Sequence, residues 1–203
     1  MTTPPLDFDV VKRHNAKVPY TEVQMLELMN CHDEPMYFMR NFLRIQHPTR
    51  GALSFSPYPY QNLMVNAFHT HRDTVVLAGR QVGKTAGAVG YLLWRANFVP
   101  DSIILITANT YNQALEIMDR VRYAYENIPD HIRDGVREYN KGSIAFSNGS
   151  RIIARATTPN AGRGLSISLL YCLAGETTVQ IRHKLTGEIK TVSLETLYGL
   201  CES

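Results

Sequence analysis

The chain has 203 residues, 44% of them hydrophobic, with a formal net charge of +3 and an isoelectric point of about 8.8. That is enough for one globular domain and an appendage, and the small basic excess permits an acidic partner such as DNA without demanding one. Cys31, Cys172 and Cys201 show no paired spacing, which argues against a disulfide framework or zinc site and for a reducing compartment. No apolar stretch approaches a membrane span, and residues 1–10 do not read as a signal peptide.

Residues 1–20, with Pro4, Pro5 and Pro19, read as an arm without regular structure. Thr21 to Met29 and Glu34 to Ile45 read as two short helices divided at Asn30-Cys31-His32-Asp33, and His47 to Pro59 as a turn-rich connector. Thr74-Val75-Val76-Leu77 reads as a strand, Ala86 to Phe98 as a helix, and Ile103 to Ile106 as a parallel strand buried on both faces. Thr110 to Ile128 is a helix with a core stripe of Ala114, Ile117, Met118, Val121 and Tyr125. Ser143 to Ser147 and Arg151 to Ala156 flank Asn148-Gly149, a hairpin signal because both turn residues tolerate positive φ. Ile167 to Tyr171 is a last apolar strand, and the order predicts an α/β domain with a largely parallel sheet flanked by helices.

Between the strand at 74–77 and its helix stands Ala78-Gly79-Arg80-Gln81-Val82-Gly83-Lys84-Thr85. A nucleoside triphosphate needs backbone N–H groups around its phosphates, a cation near the β- and γ-phosphates, and a hydroxyl for Mg²⁺. Gly79 and Gly83 allow the close backbone approach, Gln81 lies within the loop, Lys84 is the cation and Thr85 the hydroxyl for Mg²⁺. Ala78 stands where such loops usually begin with Gly. Arg80 is placed to neutralise charge at the γ-phosphate as a finger supplied in cis, or is a solvated arginine. Tyr60 and Gln61, in Tyr58-Pro59-Tyr60-Gln61, lie one helix upstream, where a ring could stack on adenine and an amide could bond its N6 and N7 edge.

Together with Glu138-Tyr139-Asn140-Lys141-Gly142-Ser143-Ile144, Ser147-Asn148-Gly149-Ser150 and Ala161-Gly162-Arg163-Gly164-Leu165-Ser166, the loop resembles the ATPase domain of the T4-like large terminase subunit. The resemblance covers most of residues 20–171. It implies a P-loop NTPase that uses ATP and Mg²⁺ to thread double-stranded viral DNA through a portal, alongside a small terminase subunit, at the procapsid in the host cytoplasm. It also implies the cis-finger role of Arg80 and adenine contact by Tyr60 and Gln61.

In such ATPases the last strand delivers Asp to Mg²⁺ and Glu to the attacking water. Here Tyr171 is followed by Cys172-Leu173-Ala174-Gly175-Glu176-Thr177-Thr178-Val179, which resembles the first block of an intein. Thr178 to Lys184 and Ile189 to Leu194 then read as strands about Leu185-Thr186-Gly187-Glu188, with a helix at Leu194 to Leu200. Cys172 at such a junction can attack the Tyr171 carbonyl. The expected organisation is an arm (1–20), an incomplete ATPase domain lacking its acids (21–171) and a β-rich, Hint-type intein N-fragment (172–203). Its partner would be a complementary intein C-fragment carrying the rest of the ATPase, and the chain alone should hydrolyse almost no ATP. The alternatives are a structural Cys172 in a divergent domain, a truncated gene, a helicase-type translocase fragment, or a non-catalytic ATP-binding assembly module.

Overall fold

A computed structural model describes residues 10–47, 49–78, 82–173, 178–182 and 189–193. Gly79, Arg80, Gln81, Glu176, the 185–188 turn and the 194–200 helix lie outside the described residues.

Helix α1 (Glu22–Asp33) begins at a reciprocal cap: Gln24 N–H donates to Thr21 Oγ1 (3.3 Å), and Thr21 N–H donates to Gln24 Oε1 (3.0 Å). It does not stop at Asn30 as the sequence reading expects. Cys31 is fully buried, and its carbonyl accepts from Trp94 Nε1 at 2.7 Å, so tertiary packing extends the helix. The break falls at Glu34, held extended (φ −131°) because the next residue, Pro35, opens α2 (Pro35–Phe42). The expected second helix ends early. Arg44–His47 (β1) pairs antiparallel with Gly51–Ser54 (β2), within what reads as a connector.

Helix α3 (Pro59–Thr70) leads to the phosphate-loop region and α4 (Lys84–Phe98) leaves it. The expected strand at Thr74–Leu77 is absent: residues 74–78 belong to no strand, and Val75 and Leu77 are 56% and 44% exposed. Apolar content favours burial, but a ladder also needs a tertiary partner. The main sheet runs β4-β5-β6-β3-β7, comprising Val136–Asn140, Ser143–Phe146, Arg151–Ala156, Ile103–Ala108 and Leu169–Leu173. β3 is parallel to both β6 and β7, while β4-β5 and β5-β6 are antiparallel, so the sheet is mixed rather than largely parallel. The unforeseen β4 pairs with β5 through the Asn140–Ser143 turn.

Helix α5 (Tyr111–Glu126) starts at a Thr110–Gln113 capping box and buries Ala114, Ile117, Met118, Val121 and Tyr125, as its spacing predicts. The Asn148-Gly149 turn forms as expected, with Gly149 at φ +89°. Asn148 does more than turn the chain. Its Nδ2 donates to the carbonyls of Ala96 (2.9 Å) and Asn97 (3.2 Å), satisfying groups that the end of α4 leaves unpaired. The arm is also less free than its composition implies. Lys12 Nζ donates to the carbonyls of Asp130 and Arg133 (both 2.9 Å), and Arg13 bridges to Val136. Beyond the main sheet, β8 (Thr178–Arg182) and β9 (Ile189–Ser193) pair antiparallel, matching the two strands expected in the tail.

Candidate functional site: the entrance to helix α4

Gly83 sits at the N-cap of α4 with φ +89°, a left-handed conformation that an L side chain resists. A Cβ there would also stand 3.0 Å from Gln61 Nε2. Two constraints therefore demand glycine at this point. Among the described residues no side chain caps the helix, and the positive end of its dipole faces the loop. Lys84 and Thr85 are its first two residues, and Lys84 Nζ donates to the Ala78 carbonyl (3.0 Å), tying together the two ends of the loop.

Helix α3 braces this entrance. Gln61 is 2% exposed; its Oε1 accepts from Tyr58 N–H (2.8 Å) and its Nε2 donates to the Gly83 carbonyl (2.8 Å). The Tyr60 hydroxyl donates to the Val82 carbonyl. Burial, with Tyr58 adding to it, raises the Tyr60 phenol above its ordinary range despite a hydrogen bond from Gln61. The Gln61 amide thus points at the loop exit. The open aromatic surface is the parallel pair Tyr58–Tyr60, with centroids 6.2 Å apart and planes at 13°; Tyr58 is 63% exposed.

The far wall is β7, which ends the sheet. Tyr171 pairs with Ile106 and Cys172 with Thr107, and pairing continues through Leu173 with Ala108. The domain boundary expected after Tyr171 therefore falls inside a continuous strand. Leu169 and Tyr171 pack against the core, whereas Leu170 on the opposite face is 58% exposed. Burial pushes the Tyr171 phenol up to about 12, with the Thr85 side chain opposing the rise and the nearby Cys172 adding to it. The strand end thus reaches the first turn of α4. Residues 169–173 carry no acid. Tyr171 and Tyr58 were missed in sequence; a tyrosine ending an apolar strand and one opening a Tyr-Pro-Tyr run were their only signals.

Among the described residues no group of three or more His, Cys, Asp or Glu could hold a metal ion, and no helix is long and apolar enough to cross a membrane. The donor set at the first turn of α4, the Thr85 hydroxyl beside the Lys84 ammonium, fits Mg²⁺ held largely by phosphates and water rather than by a protein cage. A groove of about 480 Å³ is lined by Lys12, Tyr20, Met29, Asn97 and Arg133 among others, and among its described lining residues none belongs to the loop or to α4's first turn.

Residues 75–172 match the family described as "Terminase large subunit, T4likevirus-type, N-terminal". The matched segment contains α4, the main sheet and β7 as far as Cys172, and in it this chain is similar to the N-terminal part of that large subunit.

Proposed function

We propose that this chain is the nucleotide-binding part of a DNA-packaging terminase ATPase, made as a precursor that acquires its catalytic acids by trans-splicing. The carrying observation is the uncapped N-terminus of α4, delivered by a left-handed Gly83 and opening on Lys84 and Thr85, inside the segment that matches the terminase family. Gly79, Gln81 and Gly83 would offer backbone N–H groups to the phosphates, Lys84 would neutralise the β- and γ-phosphates, Thr85 would ligate Mg²⁺, and Arg80 would neutralise charge at the γ-phosphate as a finger in cis. Bound Mg²⁺ supplies charge neutralisation across the phosphates. Tyr60 and the neighbouring Tyr58 offer the base a ring face, and Gln61 holds the loop exit beside it. The assembled motor would act on double-stranded viral DNA at the portal with the small subunit.

The absence of acids on β7 is the reason for the second half of the proposal. Cys172 Sγ attacks the Tyr171 carbonyl carbon; the Tyr171–Cys172 C–N bond breaks, a thioester forms, and the released Cys172 amine takes up the thiol's proton. A complementary intein C-fragment then completes transfer of residues 1–171 to the partner polypeptide. One observation favours a second reading, a non-catalytic nucleotide-binding module with a structural Cys172: β7 runs through Cys172 in register with β3.

Mass spectrometry of tryptic peptides from the native source separates the two. A peptide that begins at Gly164, reads to Tyr171 and continues into Asp-Glu sequence absent here establishes splicing. Recovery of only Gly164 to Arg182 establishes the module. Cys172→Ala should abolish ligation, and ATP turnover by the unspliced chain would overturn the missing-acid argument.

A further inference from the structure

ATP and GTP share a triphosphate, a ribose and a ring face. They differ at the purine edge, where adenine carries an amino group at N6 and guanine a carbonyl at O6. A side chain that tells them apart must present a polar atom to that edge. The Gln61 amide has the chemistry for this, but the fold commits it elsewhere. Its Oε1 accepts from Tyr58 N–H (2.8 Å), its Nε2 donates to the Gly83 carbonyl (2.8 Å), and the residue is 2% exposed. Its stem packs on α4, with Cγ 3.9 Å from the point where a Cβ on Gly87 would stand. Turning the amide toward a base would break both bonds.

We propose that Gln61 is a positioning residue for the phosphate loop rather than a reader of the base, so that the site takes purine nucleoside triphosphates, ATP and GTP alike. The proposal rests on the phosphate-loop reading above. One amide joins the opening of α3, at Tyr58 N–H, to the opening of α4, at the Gly83 carbonyl. What is left for the base is a ring face. The Tyr60 hydroxyl donates to the Val82 carbonyl, which fixes that ring, and Tyr58 lies nearly parallel to it with its own ring largely open to solvent. Every base has a π-face, so stacking there holds a nucleotide without reading its edge.

The test measures binding of methylanthraniloyl-ATP, methylanthraniloyl-GTP and, by displacement, inorganic tripolyphosphate to the full chain with Mg²⁺, with folding checked by Trp94 emission. The native chain should bind the two nucleotides within about threefold of each other. Gln61→Met, which fills the same space without either bond, should weaken all three ligands by a common factor of about five to thirty, the worth of one or two hydrogen bonds. Tyr58→Ala should weaken both nucleotides about three- to tenfold and leave tripolyphosphate unchanged. Should Gln61→Met not fold, Gln61→Glu, which keeps an acceptor for Tyr58 N–H but loses the donor to Gly83, carries the same expectation. A native preference for ATP beyond the expected range overturns the proposal, and its loss in Gln61→Met would name Gln61 as the reader; the loop reading survives. Unchanged tripolyphosphate affinity in a folded Gln61 variant overturns the positioning role and also spares the loop. Loss of tripolyphosphate affinity in Tyr58→Ala would set that ring against the loop and overturn base stacking. If the native chain binds none of the three, the loop reading fails and the proposal with it.

Discussion

Replacing Gly83 by alanine measures how tightly the entrance to α4 is built. At φ +89° an L side chain costs about 1–2 kcal/mol. The added Cβ would also lie 3.0 Å from Gln61 Nε2 and 3.6 Å from the Tyr60 hydroxyl. Gln61 cannot yield without loosening one or both of its bonds to Tyr58 N–H and the Gly83 carbonyl, at about 1 kcal/mol each. The sum is about 2–4 kcal/mol. Gly164 supplies the control: it has φ +77° with nothing within 4 Å of its Cβ position, so Gly164→Ala bears only the backbone cost. Both variants share the entropy gain of Gly→Ala in the unfolded chain, which cancels in the comparison. Urea unfolding followed through Trp94, which is 3% exposed and the only tryptophan, should therefore place Gly83→Ala about 1–2 kcal/mol below Gly164→Ala. Equal stabilities would refute the claim that α3 clamps the loop exit through Gln61.

Lys84→Ala should weaken methylanthraniloyl-ATP binding by at least about tenfold while leaving stability within about 0.5 kcal/mol, checked by titration and by urea unfolding. Asn148→Ala should cost about 2–3 kcal/mol in the same unfolding assay, because it strips the Ala96 and Asn97 carbonyls and the Ser150 N–H of their partner. Burial, with Glu27 adding to it, pushes the Cys31 thiol up from 9.0 to about 12. A raised folded-state pKa means its contribution is intact below about pH 9 and is lost between about pH 9 and 12. Cys31→Ala should flatten the alkaline fall in stability over that window, and an unchanged profile would reject the assignment.

The elements read best from sequence were those whose signal is local. The α5 stripe and the Asn148-Gly149 turn each carry their own geometry, and both formed as expected, while Thr110 caps α5 rather than beginning it. The misses lay where distant contacts decide. Nothing within Asn30 to Asp33 announces that Trp94 will hold the Cys31 carbonyl, and β4 exists only because β5 offers it an edge. Thr74–Leu77 failed for the converse reason: it has strand composition but no ladder. At the site, glycine and lysine spacing exposed the entrance to α4 in advance. The inward commitment of the Gln61 amide was not legible, since the same residue beside the same loop could equally have faced a base.

The register of β7 also constrains what a ligated partner must contribute. Side chains on a strand alternate between faces, and pairing with β3 persists through Leu173, so the alternation holds to that position. Leu169 and Tyr171 lie on the core-packed face and Leu170 on the other, so position 172 projects to the face of Leu170, and in an extended product strand the second residue after Tyr171 would share its face. An aspartate joined directly to Tyr171 would therefore lie on the opposite face of the strand from Tyr171. On the splicing proposal, with the acids on the core face, the product must then carry one residue between Tyr171 and its Asp-Glu pair. Sequencing the Gly164 peptide of the spliced protein checks this directly. Asp-Glu following Tyr171 with no intervening residue would show that β7 shifts register when the two polypeptides are joined, and that the strand end seen here is not yet the one that serves catalysis.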